Sequence, residues 1–231
     1  MERAEWDSRK SFYYCPNTEA SKSVAKKKTF RASERNKETV QQKKFEFLND
    51  VANIDPSRLV FLDEAGLNLG MTPRLARAEK GERAFATRPA QRGSNISIVG
   101  AIRLKETPVL YPYDGAVDGA KFLSFLQNHL IPTLRKEDVV VMDNLRVHHI
   151  PQVREKLNAA GADVLYLPPY HPELNPIEEI WAKTKNIARR AEARTIAALV
   201  DAVQLAKAAI SQDDLNGVFR HAGYGVATVP F

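Results

Sequence analysis

The stretch from Val139 to Trp181 constrains the fold more than any other part of the sequence. Four apolar residues, Val139 to Met142, lead directly into Asp143, which is typical of a strand that is buried on both faces and opens into a site at its C-terminal end. A Pro-rich segment then leads into a helix. The 34 residues that separate Asp143 from Glu178 (144–177) suffice for a crossover helix, a second strand and a loop. Both carboxylates can therefore reach the same edge of one sheet.

Strands are predicted at four other places. Arg58 to Glu64 is an apolar run that closes on two acids and is stopped by Gly66. The others are residues 95–104 and 108–113, which fit a hairpin, and residues 164–167. Helices are predicted at residues 118–130, 151–160, 176–193, 195–210 and 211–223. This order of elements predicts a mixed α/β layer rather than a purely parallel sheet.

The first 55 residues divide into an arm and a helix. Residues 1–32 mix charges without any periodicity and contain a run of three lysines, so we expect a poorly ordered basic arm. A helix is predicted over residues 33–55, with Ser33 as its cap. Its predicted inward stripe consists of Val40, Lys44, Phe47, Leu48 and Val51. Residues 56–231 are then expected to form the main domain.

Composition excludes several classes of site. Cys15 is the single cysteine, which excludes an internal disulfide and a cysteine-based metal site, so any metal must be held by oxygen or histidine. There is no apolar run of about 18 residues and no signal-type N-terminus, so we expect a cytoplasmic protein without a membrane segment. The net charge of +6 favours a polyanionic partner without demanding one.

The helix after the Pro-rich segment allows two interpretations of Glu178. In one, Asn175 caps the helix, Pro176 takes the first helical position and Glu178 closes a capping box, which is a structural role. In the other, Glu178 is functional, since at about 100° per residue it shares one flank of the helix with Lys185 and Arg189. An acid followed by two cations along one line suits a metal ligand followed by phosphate contacts.

The two strand acids also have structural alternatives. Asp143 can form an Asx-turn, and Asp63 can cap a turn before Gly66, with Glu64 as an alternative ligand one residue later. Taken singly, each acid is more often structural than catalytic. Taken with Glu178, the two aspartates supply the hard oxygen ligands that Mg²⁺ or Mn²⁺ prefers. Two such ions can activate a water or a 3′-hydroxyl and stabilise the leaving oxygen in an in-line attack on phosphate.

Basic residues are concentrated between Arg74 and Arg103, a segment that contains seven basic residues and only two acidic ones. Such a segment is either a solvated loop or a DNA-facing surface. His148 follows the second acid by five residues and can order a metal site, touch DNA or lie in a surface turn. Trp181 is expected in the core. The predicted nucleic-acid contacts are Lys185, Arg189, Arg88, Arg92 and His148.

These motifs resemble the catalytic domain of a mariner-superfamily DDE transposase, in its bacterial insertion-sequence branch. The resemblance runs from about Lys26 to Tyr224 and rests on KKKTFRASE, FLDEAG, VVVMDN followed by His148, LPPYHPELNPIEEIW and FRHAGY. The Pro-rich motif is long and specific. The spacing of 34 residues between the second and third acids is typical of the family.

The resemblance implies an RNase H-like fold, a five-stranded mixed sheet flanked by helices, with residues 56–231 as the DDE catalytic domain. It implies that Asp63, Asp143 and Glu178 are the catalytic residues and bind two ions of Mg²⁺ or Mn²⁺. The implied activity is that of an endonuclease and strand transferase, which cuts DNA at transposon ends and joins the 3′ ends to target DNA. A homodimer on DNA is a further expectation of the family.

The sequence also departs from the family. His171 and Glu173 stand where Ser and Asp are usual, and residues 75–78 lack a common aromatic-Gly pair. Only about 25 residues precede the matching region, where relatives carry paired helix-turn-helix units. Two alternatives therefore stay open. The chain can be a non-catalytic, transposon-derived DNA-binding protein, or another RNase H-like nuclease that acts on branched DNA or RNA–DNA hybrids.

Overall fold

The computed structural model describes residues 32–90 and 93–225. The predicted N-terminal arm, apart from Ala32, lies outside the described residues, and so does Arg92. The division of the chain into an arm, a helix and a main domain stays a prediction. No helix in the described ranges is both long enough and apolar enough to cross a membrane.

The described strands form one mixed sheet. They are β1 (Leu59–Asn68), β2 (Asn95–Ile102), β3 (Val109–Asp114), β4 (Val139–Met142) and β5 (Asp163–Tyr166). Their spatial order is β3-β2-β1-β4-β5. β1, β2 and β3 pair antiparallel, whereas β4 and β5 join on the other side of β1 in parallel. The predicted five-stranded mixed sheet is confirmed, with β1 as the central strand.

The described α-helices cover both faces of this sheet. They are α1 (Glu38–Ala52), α2 (Gly119–Phe125), α3 (Pro151–Ala159), α4 (Ile177–Ala191), α5 (Ile196–Ala209) and α6 (Gln212–His221). The core on one face contains side chains of α1, α4, α5 and α6, while the core on the other face contains side chains of α2 and α3. The apolar residues of β1 alternate between these two cores, because successive side chains of a strand point to opposite faces.

Three local predictions were wrong. β1 does not stop at Gly66 but continues to Asn68, because β2 provides an antiparallel partner for each of these residues. Ser33 does not cap α1: it opens a separate short 3₁₀ turn, and α1 begins at Glu38. Leu48, expected on the inward stripe, is exposed, since it lies about 100° around the helix from the buried Phe47.

Candidate active site

The pairing of β1 with β4 brings two of the predicted acids to the same level of the sheet. The strands run parallel with Phe61 opposite Val141. Asp63 stands two residues further along β1, and Asp143 stands two residues after Val141, just past the end of β4. Residues two apart share a face of a strand, so Asp63 projects to the face that carries Phe61 and Val141, and Asp143 lines the same cavity as Asp63. That face is covered by α4, which carries the third acid.

Glu178 lies in the first turn of α4 and is not explained by helix capping. The residue before α4 is Pro176, and no side chain caps the helix N-terminus. Asn175, which the sequence suggested as the cap, contributes only its backbone carbonyl, which accepts from the Glu178 backbone amide at 3.1 Å. The capping-box alternative for Glu178 was therefore wrong, because the backbone of this turn satisfies itself and the carboxylate is left for other contacts.

Asp63, Asp143 and Glu178 line one cavity of about 270 Å³. The rest of its wall comes from the segment after β4 and from the Pro-rich loop before α4. Glu64, the alternative ligand, is not part of this cavity. As the next residue of the strand after Asp63 it points to the opposite face of the sheet, towards His148. The strand geometry thus separates the two adjacent acids, and Asp63 is the one that faces Asp143 and Glu178.

Asp63 is the most perturbed of the three acids. Its side chain is buried, with 7% of the residue surface exposed. Burial raises the pKa of Asp63 to about 6, and repulsion from the carboxylates of Glu178 and Asp143 adds to this rise. Hydrogen bonds from the Glu64 backbone amide and from the Trp181 side chain oppose it. The charged neighbours that raise the pKa of Asp63 are thus the other two acids of the cavity.

Trp181 holds Asp63 in place. Its indole Nε1 donates a hydrogen bond to Oδ2 of Asp63 at 3.0 Å. The indole reaches this position because Gly100 stands opposite Asp63 in the ladder between β1 and β2. A Cβ at Gly100 would lie 2.5 Å from Cη2 of Trp181, closer than such contacts permit. The sequence predicted Trp181 only as a core residue. Its position one helical turn after Glu178 was the available signal for a role at the site.

His148 supports Asp143 from the interior. The ring is completely buried, so the prediction that it contacts DNA was wrong: no part of the side chain is available to a macromolecule. Its Nδ1 lies 2.8 Å from Oδ1 of Asp143, and its Nε2 lies 3.5 Å from Oε1 of Glu64. Of the three alternatives that the sequence left open, the ordering of the acid site is the one that this placement supports.

The charge of His148 follows from these neighbours. Burial acts to lower the pKa of the ring, but the hydrogen bond to Asp143 and the nearby carboxylate of Glu64 prevail and raise the pKa of His148 to about 9. Burial likewise acts to raise the pKa of Asp143, but hydrogen bonds from His148 and the Leu145 amide hold that pKa below its usual range. Asp143 is therefore ionised at neutral pH and held in a fixed orientation.

The chemistry of the three acids fits a hard divalent cation. Carboxylate oxygens are the ligands that Mg²⁺ and Mn²⁺ prefer, and the mutual repulsion at Asp63 is relieved by a cation. The three acids do not yet close on one point, because no group of three His, Cys, Asp or Glu side chains within residues 32–90 and 93–225 has coordination geometry. The structure thus shows the acids around one cavity rather than a completed coordination sphere.

A basic region extends from this site along α4. Lys185 and Arg189 are half-buried on the same helix as Glu178. Arg189 and Arg88 line a second cavity of about 620 Å³ together with Arg74, which the sequence did not single out as a contact. Burial and the charge of Arg74 lower the pKa of Arg189. Among its described residues, this cavity has no acidic side chain in its lining, so its positive charge is available to an anion.

Comparison with known proteins identifies one family and one set of similar folds. The family model described as DDE superfamily endonuclease matches residues 58–200. No curated protein matches the sequence. Among solved structures, the Mos1 strand transfer complex is similar at a TM-score of 0.68 and 19% identity, covering 87% of this chain and 63% of that one.

Two other Mos1 structures extend this comparison. The Mos1 mariner paired end complex with Mg has a TM-score of 0.71 at 17% identity and covers 87% of this chain and 64% of that one. The Mos1 transposase catalytic domain with raltegravir and Mg has a TM-score of 0.61 at 15% identity, covering 84% of this chain and 94% of that one. At these identities the similarity shows the fold, and the predicted RNase H-like fold is confirmed. This chain spans less than two thirds of the longer Mos1 chains.

Proposed function

The chain belongs to the DDE superfamily endonucleases, and on that premise we propose that it is the catalytic part of a mariner-like transposase of the bacterial insertion-sequence branch. It cleaves DNA at transposon ends and transfers the strand to target DNA by in-line phosphoryl transfer. Its location is cytoplasmic, and its partners are transposon-end and target DNA, on which a homodimer forms.

The observation that carries this proposal is the meeting of three acids from distant parts of the chain in one cavity. Asp63 comes from the central strand, Asp143 follows the end of β4 and Glu178 opens α4. These are the three residues that hold two ions of Mg²⁺ or Mn²⁺. When bound, the ions activate a water or a 3′-hydroxyl and stabilise the leaving oxygen of the displacement.

The other residues of the site orient these acids. Trp181 fixes the Asp63 carboxylate through its indole hydrogen bond, and His148 fixes the Asp143 carboxylate through its Nδ1. Both supporting side chains are buried, so their own positions are set by core packing. A carboxylate held in this way loses little further conformational freedom when it binds a cation, which strengthens that binding.

The DNA lies along α4 and along the basic loop between β1 and β2. Lys185 and Arg189 stand seven and eleven residues after Glu178, which is about 10 Å and 16 Å along a helix that rises about 1.5 Å per residue. They contact successive phosphates of the strand that enters the cavity. Arg88, and Arg92 beyond the described residues, extend this contact from the loop before β2.

A pair of neighbouring glutamates tests the catalytic assignment. Glu178→Gln removes a proposed ligand, whereas Glu179→Gln changes the next residue, whose carboxylate pairs with His221 on α6. With Mn²⁺, we expect the wild type to nick supercoiled DNA, Glu178→Gln to lose at least about 100-fold of that rate, and Glu179→Gln to retain it. Asp143→Asn is expected to behave like Glu178→Gln. A wild type that never cuts DNA, or equal activity of the two glutamine variants, contradicts the proposal.

A second candidate function is non-catalytic DNA binding. The observation that favours it is the lack of a closed three-ligand group within the described ranges. In that case DNA binding is sequence-blind, weakens steeply with salt and does not depend on Mg²⁺ or Mn²⁺. Binding titrations at several salt concentrations, with EDTA or with Mn²⁺, separate this candidate from the first.

A further inference from the structure

Tyr170 has an unusual backbone conformation beside the acid cavity. Its φ is 61°, in the left-handed region that bulky residues rarely adopt. The residue is non-glycine, so the conformation is held by its surroundings rather than preferred locally. The fixed backbone therefore also fixes the position of the Cβ atom that carries the ring.

The Pro-rich loop is braced on both sides of Tyr170. Before it, the side-chain amide of Asn144 donates to the carbonyl of Leu167. After it, the Tyr224 hydroxyl donates to the carbonyl of Leu174 at 2.6 Å. Nδ1 of the buried His171 lies 2.9 Å from a carboxylate oxygen of Glu173, which also pairs with Arg35. The loop is thus fastened to three other parts of the fold.

The ring of Tyr170 itself makes no comparable contact. The residue is 50% exposed, and it takes part in no aromatic pair and no side-chain hydrogen bond within the described residues. Tyr111 on β3 provides a contrast. It is 39% exposed, but its ring stacks on His129 at 4.0 Å between centroids. A rigid backbone that presents an unpaired aromatic ring is a preformed surface for stacking.

The location of Tyr170 indicates what stacks there. It lines the same cavity as the three acids. Leu145, another exposed apolar side chain of that cavity, follows Asp143 by two residues, and its amide donates to the Asp143 carboxylate at 3.0 Å. The site that holds the scissile phosphate therefore has apolar surface at its rim, within reach of the nucleotide attached to that phosphate.

We propose that Tyr170 is the stacking site for the unpaired nucleobase adjoining the scissile phosphate. This inference rests on the proposed function and adds a subsite for a base. Every nucleobase has an apolar π-face, so an aromatic ring holds an unpaired base without reading its identity. The stack positions the nucleotide, and with it the phosphate, against the three acids. Tyr170 acts here only as a contact to the DNA substrate.

Photo-cross-linking tests this placement directly. The probe is a set of short duplexes, each with a single-stranded 3′ overhang. Each duplex carries one 5-iododeoxyuridine, and its position shifts by one nucleotide from one duplex to the next. Ca²⁺ replaces Mg²⁺, since it also takes oxygen ligands. We expect cross-linking to Tyr170 at one position, retained in Tyr170→Phe and lost in Tyr170→Asn. Asparagine tolerates the left-handed conformation, so the latter variant removes the ring without a new backbone strain. Tyr111→Asn is the matched control and keeps the cross-link.

Affinity for damaged DNA supplies an independent measurement. Tyr170→Asn is expected to bind the overhang DNA roughly tenfold more weakly than wild type, the size of one lost stack. An abasic nucleotide at the cross-linking position removes that difference, because no base remains to stack. Equal losses on intact and abasic DNA, or cross-linking elsewhere with DNA binding intact, overturn this inference while leaving the proposed function in place. If the wild type binds no DNA, the proposed function fails and the inference fails with it.

Discussion

The two ends of β4 carry acids with different surroundings. Just before β4, Asp138 is buried and forms an ion pair with Arg103, which is also buried. The backbone amide of Arg135 donates to the same carboxylate at 2.6 Å. Just after β4, Asp143 shares its cavity with Asp63 and Glu178. At one end the protein pairs the acid with an arginine, whereas at the other Asp143, which is paired with His148, faces two further acids.

This difference separates a structural charge from one that we propose to be functional. The pairing at Asp138 is complete within the chain, so removing Arg103 leaves the Asp138 carboxylate buried without a counter-charge, and removing Asp138 leaves Arg103 with only Glu106. At the acid cavity the neighbours of Asp63 are themselves negative, which makes the folded state less stable until a proton or a cation arrives. Burial alone does not distinguish Asp63 from Asp138, since both are buried. The sign of the surrounding charge distinguishes them.

The largest effect is expected at the N-terminal end of β4. Asp138→Asn leaves the buried guanidinium of Arg103 with only Glu106, 3.3 Å away and partly exposed, as its counter-charge, and should lower the free energy of unfolding by up to about 3–5 kcal/mol. Urea unfolding in EDTA measures this loss, and added Mn²⁺ should not restore it. Glu137→Gln is the control, since Glu137 pairs with Arg58 on the surface. If Asp138→Asn is no worse than this control, the buried pair has no structural role.

At the acid cavity, removing an acid is expected to stabilise the fold rather than destabilise it. Asp63 has a pKa raised from 3.8 to about 6, so the folded state binds a proton more tightly than the unfolded chain. Its unfavourable contribution grows as pH rises from about 4 to about 6 and is complete above that. Asp63→Asn, which cannot ionise, should therefore be more stable than wild type at pH 7 by up to roughly 3 kcal/mol.

Urea unfolding in EDTA from pH 4 to pH 8 checks this prediction. The advantage of Asp63→Asn should nearly vanish at pH 4, where wild-type Asp63 is largely protonated. A variant that is less stable than wild type at pH 7 would show that the hydrogen bond from Trp181 outweighs the repulsion from Glu178 and Asp143.

The effect of divalent ions on thermal stability provides another test of the acid cavity. A ligand that binds only the folded state stabilises it by about 2.7 kcal/mol at a hundredfold excess over Kd. Mn²⁺ should raise the thermal midpoint of the wild type in this way, and Asp63→Asn should lose most of that gain. The Glu137→Gln variant should respond like wild type. An equal shift in all three proteins would place the ion elsewhere.

The smallest effect is expected at a pair that is only half-buried. Nζ of Lys183 on α4 lies 2.5 Å from Oδ2 of Asp214 on α6, and each side chain is about one third exposed. The hydrogen bond from Lys183 is the main reason that the pKa of Asp214 falls to about 2, so this pair stabilises the fold above pH 4 and loses its effect as pH falls towards 2. Solvent screens it, and Lys183→Met should cost less than about 1 kcal/mol at pH 7. A loss as large as that of Asp138→Asn would show that burial is not what separates these pairs.

Much of the fold was predictable because its signals are local. Apolar runs located the strands, and Asp143 and Glu178 were recognised from the segment that joins them. The errors occurred where a local signal competed with a distant partner. A glycine directly after an apolar run commonly marks a turn, yet β2 continues the ladder past Gly66. Asn175 and Glu178 match a capping box, yet the backbone of the loop makes the bonds instead.

The sequence by itself determined which acids are available, their spacing along the chain and the order of strands and helices. Only the tertiary structure decided that Asp63 rather than Glu64 faces the cavity, that His148 is buried and that Trp181 donates to Asp63. The physical reason is that periodicity tells which residues share a face of one element. The pairing of β1 with β4 and the packing of α4 tell which faces meet, and those contacts join segments that are far apart in the chain.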